Sequence, residues 1–125
     1  MHPTDPELQD GSDAAAFEQI LGSPGLHLFV LELDGVVVAT THLNIISNIT
    51  RSASPYAVIE NVVGESLRGS GPGKQIMAST LGAAWAAGCY KAMLMPGSRS
   101  PGTHAFYRAS GFSPDAKTAY LARPS

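Results

Sequence analysis

Arg68-Gly69-Ser70-Gly71-Pro72-Gly73-Lys74 stands between a β-branched run, residues 56–63, and a stretch of helical composition, residues 75–87. Glycines at 69, 71 and 73 let main-chain amides approach an anion closely, and the following helix adds the positive end of its dipole. Arg68 and Lys74 flank the loop with charge, and Pro72 suits a first helical turn, where its missing N–H costs nothing within the helix. The stretch reads as a strand-to-helix loop for a phosphate or pyrophosphate. The plainer alternative is a glycine-rich turn that binds nothing. Two familiar loops are excluded. A P-loop needs glycine where Arg68 stands and Ser or Thr where Gln75 stands; a dinucleotide fingerprint starting at Gly69 needs glycine where Lys74 stands.

Working outward, Gly88 stops the helix and residues 90–95 form a short strand. Residues 103–110 form a second helix closed by Gly111, and residues 118–122 have the composition of a last strand. Toward the N-terminus, residues 26–33 and 36–46 are strands joined by Asp34-Gly35, a strong hairpin signal. Residues 48–54 form a polar loop. Asp13 caps a helix ending at Leu21, broken by Gly22-Ser23-Pro24-Gly25, and residues 1–12 are irregular. Strands in series up to residue 63 pair antiparallel. Strand, loop, helix and strand from 56 to 95 make a βαβ-like unit with parallel strands. The class is α/β or α+β, with a mixed, mostly antiparallel sheet flanked by helices.

The chain has 125 residues, 44% apolar and 14% charged, which fits one domain with an ordinary core spanning 1–125 and excludes a disordered polyelectrolyte. A net charge of -2 argues against a nucleic-acid partner. The lone Cys89 makes no internal disulfide or cysteine-rich zinc site, and the four histidines are too dispersed for a metal spacing, so no metal is expected. No apolar run is long enough for a bilayer, and the proline-broken acidic start is no signal peptide, so the expectation is a cytoplasmic protein without a membrane partner.

The glycine loop also fits R-x-x-G-x-G, and further features follow in order: Ile59-Glu60-Asn61-Val62-Val63 before it, Gly88-Cys89-Tyr90-Lys91 after it, then Phe106-Tyr107-Arg108-Ala109-Ser110-Gly111-Phe112. Together these resemble the GNAT superfamily of N-acetyltransferases over residues 13–122. The segments 59–63 and 88–91 are similar to those of glucosamine-6-phosphate N-acetyltransferases. The resemblance implies a sheet splayed open between strands 56–63 and 90–95, with acetyl-CoA wedged there as co-substrate. It implies that main-chain groups of Val62 and Val63 pair with the pantetheine arm. Amides from Arg68, Gly69, Ser70, Gly71, Gly73 and Lys74 would hold the pyrophosphate. There are two departures. The family's usual first strand and much of its first helical region, which often line the acceptor pocket, have no counterpart before residue 13. Pro72 stands at a usually aliphatic position and removes one amide.

Acetyl transfer requires that an amine lose a proton, that the thioester carbonyl be polarised and that the leaving thiolate be protonated. By the resemblance, Tyr107 sits near the thioester sulfur as general acid; otherwise it is a buried aromatic with a bonded hydroxyl. Glu60 is the candidate base, acting through a water. A carboxylate is unusual in so apolar a strand, and partial burial would make it a better base; otherwise it is a solvated residue of a half-exposed strand. His42 and His104 are alternative proton acceptors and, more plainly, surface or packing histidines. Cys89 reads as a small buried thiol. Ser66, Ser70 and Ser98 fit no nucleophile elbow, and Asn48-Ile49-Thr50 is a sequon without a secretion signal. Arg51 and Arg99 could meet an anionic acceptor but read first as solvated charges. The expected activity is transfer from acetyl-CoA to a primary amine in a ternary complex. The alternatives are a non-catalytic acyl-CoA-binding module and a structural domain. A missing edge strand further implies a homodimer.

Overall fold

The computed structural model describes residues 22–64, 71–96 and 100–124. The expected helix over 13–21 and the irregular residues 1–12 lie outside these, as do Glu65 to Ser70 and Gly97 to Arg99. Strand β1 (Leu26–Leu33) turns through Asp34-Gly35 into β2 (Val36–Ile46), and both turn residues have positive φ, as a two-residue hairpin of the I′ type requires. Strand β3 (Tyr56–Gly64) lies antiparallel to β2. Helix α1 (Gly71–Ala86) then crosses over to β4 (Ala92–Met93), which runs parallel to β3. Helix α2 (Pro101–Ala109) follows. The sheet order is β1-β2-β3-β4, a mixed α+β arrangement in which only the last pairing is parallel.

Alternation along the strands creates two unlike faces. Ala39, Thr41, Leu43, Ala57 and Ile59 are buried, and α1 covers them with Ile76, Met77, Thr80 and Ala84, spaced along one side of the helix. Phe106 and Tyr107 of α2 and Cys89 join the same cluster. The other face carries His42, Asn44, Tyr56 and Val58, all half-buried, and the exposed Glu60. Leu28 and Val30 of strand β1 are exposed, the latter at 63%.

Both helices end in the same way. Gly88 (φ 88) donates to Trp85 O at 3.0 Å and Cys89 N to Ala84 O at 3.1 Å; Gly111 (φ 101) donates to Arg108 O at 3.0 Å and Phe112 N to Tyr107 O at 3.0 Å. These are Schellman caps, which satisfy the last carbonyls through a left-handed residue best supplied by glycine. The first turns the chain toward β4. The second fixes Phe112 over Tyr107.

Three expectations need correction. Helix α1 begins at Gly71, inside the glycine loop, rather than at 75. The strand expected over 90–95 pairs only at Ala92 and Met93. The strand expected over 118–122 does not form, and Tyr120 and Leu121 stand 93% and 77% exposed. A strand is made by a neighbour, and no described residue offers one there.

Candidate active site

Strand β3 serves as a ruler for the site. At its start it is tied to the segment entering β4: Tyr90 N donates to Pro55 O at 3.0 Å and Ala57 N to Lys91 O at 2.9 Å. The register pairs Ala57 with Ala92 and Val58 with Met93, and then stops. From Ile59 onward the β3 edge has no pairing with β4, so the sheet is open where a splay is expected between these strands. That edge runs toward the segment preceding α1.

The opposite edge of β3 holds a second irregularity. Thr40 pairs with Val63 and His42 with Glu60, so Thr41 alone faces Asn61 and Val62. One extra residue on β3 makes a β-bulge, a device that re-aims backbone groups and sharpens local twist. Thr41, 1% exposed, anchors this point from behind: its hydroxyl lies 2.7 Å from that of Thr80, which donates to Ile76 O at 2.7 Å. A buried hydroxyl pair therefore ties α1 to the sheet beside the bulge. No spacing or composition signal reveals this bulge; it exists only in the pairing of two strands.

Helix α1 begins beyond the open edge. An α-helix leaves the N–H groups of its first turn without internal acceptors, so the amides of Gly71 and Gly73 have none along the helix, while Pro72 has no N–H to offer. Gly73 is buried and Lys74 exposed. A β-carbon on Gly71 would meet nothing within 4 Å among the described residues, so their packing does not demand glycine there. A ligand in close approach would. Unpaired backbone along β3 suits an amide-bearing arm, and amides at a helix start suit a phosphate; the described residues therefore fit a CoA. Arg68, Gly69 and Ser70 lie outside the described residues.

Tyr107 is 8% exposed and shares a cluster with Ala57 and Ile59, the residues flanking the point where β3 and β4 part. Its ring meets Phe106 edge-on at 5.3 Å and Phe112 at 6.1 Å. Burial holds its phenol above the ordinary 10.0. Glu60 is exposed, contrary to the expected partial burial, and faces His42 across the β2–β3 pair. The structure thus sets two proton-carrying side chains together beside the bulge, a pairing the sequence positions alone do not disclose. His104 is half-buried on α2. Burial raises the Cys89 thiol above the ordinary 9.0, which suits a packing role rather than a nucleophile. Arg51 is exposed, with its guanidinium carbon 5.6 Å from the centre of the Tyr90 ring; Arg99, Ser66 and Ser98 are outside the described residues. Among the described residues no group of three or more His, Cys, Asp or Glu could hold a metal, and no helix is long and apolar enough to cross a membrane.

The sequence profile of the acetyltransferase (GNAT) family matches residues 2–112. A solved protein of Agrobacterium tumefaciens named as an acetyltransferase is 44% identical over 98% of this chain and 85% of its own, with a TM-score of 0.88. Glucosamine-6-phosphate N-acetyltransferase from Arabidopsis thaliana is 25% identical over 97% of this chain and 82% of its own, with a TM-score of 0.79. An aminoglycoside N-acetyltransferase solved with CoA shares the fold at 20% identity, covering 91% of this chain and 87% of its own, with a TM-score of 0.71. No curated protein matches the sequence. The glycine loop, the open β3 edge and these likenesses agree: the chain belongs to the GNAT family of acetyltransferases.

Proposed function

We propose that this chain transfers the acetyl group of acetyl-CoA to a primary amine of a small-molecule acceptor, by direct attack in a ternary complex. The observation that supports this most is the β3 edge left unpaired from Ile59, running from the Tyr107 cluster toward the start of α1. Acetyl-CoA, when bound, supplies a thioester-activated acyl group. Main-chain groups of Val62 and Val63 align its pantetheine arm, and Arg68, Gly69, Ser70, Gly71, Gly73 and Lys74 hold its pyrophosphate. Glu60, exposed beside the opening, takes the proton of the amine through a water. Tyr107 gives its proton to the departing thiolate; a phenol is protonated at neutral pH, and burial shifts this one further in that direction. Holding the reactants together removes the need for a covalent enzyme intermediate.

Tyr107→Phe tests the reading. Thiol release from acetyl-CoA is followed against a panel of primary amines, and CoA binding is measured by calorimetry. The expected outcome is a kcat lowered by about 10²- to 10⁴-fold with CoA affinity retained. Unchanged turnover removes Tyr107 as the acid. Binding of acetyl-CoA by the unmodified chain without turnover of any amine favours the acyl-CoA-binding module instead.

A further inference from the structure

The core of the described residues, which includes Leu43, Ile59 and Met77, also buries two threonines, Thr41 at 1% and Thr80 at 0% exposed. Their hydroxyl oxygens lie 2.7 Å apart, and Thr80 Oγ1 donates to Ile76 O at 2.7 Å. A hydroxyl carries one proton. Thr80 gives its proton to the carbonyl, so the bond between the threonines has one direction: Thr41 donates and Thr80 accepts. The result is a directed chain of hydrogen bonds, from the Thr41 hydroxyl on β2 through Thr80 to the backbone of α1 at Ile76.

Stability alone gives little reason for this chain. Valine has the shape of threonine without the hydroxyl, and replacing both partners of a buried hydrogen bond by apolar groups of the same shape is often nearly neutral or stabilising. What the hydrogen bond adds over apolar contact is a set distance and direction. A methyl contact tolerates a small slide of the helix along the sheet; a hydrogen bond of 2.7 Å does not.

The two ends of the chain lie beside the two places proposed to hold acetyl-CoA. Thr41 is the residue of β2 that faces Asn61 and Val62, the bulge of β3. Ile76 stands three residues after Gly73, about 4.5 Å of helix rise, and the Gly73 amide belongs to the first turn of α1. A threonine bonded to the carbonyl four residues back also bends its helix slightly, so Thr80 sets the aim of that first turn. The pantetheine arm and the pyrophosphate belong to one molecule. A ligand held at two places gains from both only when their separation matches its own span.

We propose that Thr41 and Thr80 are positioning residues for acetyl-CoA: their hydroxyl chain sets the separation between the bulged strand β3 and the first turn of α1. This rests on the proposed acetyl-CoA site. The test compares a ligand that uses both places with one that uses a single place. Binding of desulfo-CoA, and of ADP, which carries a pyrophosphate without the arm, is measured by calorimetry on the parent chain, on the double variant Thr41→Val with Thr80→Val, and on Thr80→Ser. Urea midpoints are taken for each. The double variant keeps the shape of the pair and removes both hydroxyls. Its midpoint should equal or exceed the parent's, while its desulfo-CoA affinity falls about tenfold, part of the roughly 10²- to 10⁴-fold that a ligand gains from two linked places. Its ADP affinity should be unchanged, and its KM for acetyl-CoA should rise with kcat retained at saturation. Thr80→Ser keeps the hydroxyl and loses a buried methyl, so its midpoint should fall while its desulfo-CoA affinity stays. Equal desulfo-CoA affinity in the parent and the double variant overturns the inference, as does a loss that ADP shares or that Thr80→Ser shows equally. A parent chain that binds no CoA species fails the acetyl-CoA reading and the inference together; a parent that binds, with a double variant that binds as well, fails the inference alone.

Discussion

Tyr107 concentrates most of the physics of this site in one residue. The Schellman cap at Gly111 places Phe112 against it, Phe106 meets it edge-on, and burial removes water from its surroundings. The Phe-Tyr-x-x-x-Gly-Phe pattern was legible in the sequence because it is a local device: a helix end, its glycine and the ring that covers it. Its consequence is a phenol whose ionisation the fold opposes. The linkage sign follows. A pKa raised in the folded state gives stabilisation that is fully present below the unfolded value and lost as pH rises through the folded one. Cys89, also raised by burial, acts in the same direction from a lower starting value. Stability should therefore hold level to about pH 8 and decline from roughly pH 9 upward. Urea midpoints across that range check it. Tyr107→Phe should remove the part of the decline above about pH 10 and leave the part due to Cys89. A midpoint in the parent chain that stays flat through pH 11 would show that neither group is desolvated. Glu60 was less legible: an apolar neighbourhood in sequence suggested burial, yet alternation sends its side chain to the open face.

At the scale of elements, the sequence is a good guide to what is local and a poor one to what is shared between strands. The Asp34-Gly35 hairpin, the crossover and both helix stops follow from turn chemistry and periodicity. The bulge at Asn61-Val62, the two-residue length of β4 and the missing strand at 118–122 depend on which backbone finds a partner, and composition does not encode this. Residues 90–95 have strand composition throughout, but pairing ends when β3 and β4 diverge. Helix α1 shows the opposite balance: packing keeps it helical despite residues unsuited to it. Gly82 lies in its interior, is exposed, and a β-carbon there would meet nothing within 4 Å. Glycine in such a place costs backbone entropy without a packing return. Gly82→Ala should stabilise the chain by about 0.5–1 kcal/mol, read as a higher urea midpoint at unchanged slope. A destabilised variant would mean that the Gly82 surface is covered by something in solution.

The whole molecule is held unevenly. Three strands and α1 form one well-packed body; among the described residues β4 pairs with β3 at Ala57–Ala92 and Val58–Met93, Ala92 packs against the core, and α2 enters the same core through Phe106 and Tyr107. The opening that separates β3 from β4 is thus both the proposed binding place and the weakest seam of the sheet. A ligand that bonds to the β3 edge and to the first turn of α1 binds the folded chain and not the unfolded one, so it must stabilise the fold by mass action. At a hundredfold excess over Kd this amounts to ~2.7 kcal/mol, or roughly 10 °C in Tm for a domain of this size. Acetyl-CoA and desulfo-CoA should both produce it, since both carry the pantetheine arm and the pyrophosphate. ATP shares the phosphates but lacks the arm, so at equal concentration it should shift Tm by much less. An equal shift with ATP would place all of the binding at the start of α1 and leave the β3 edge without a role. No shift with either CoA species would separate this chain from the CoA chemistry of its family and return the splayed sheet to a structural feature.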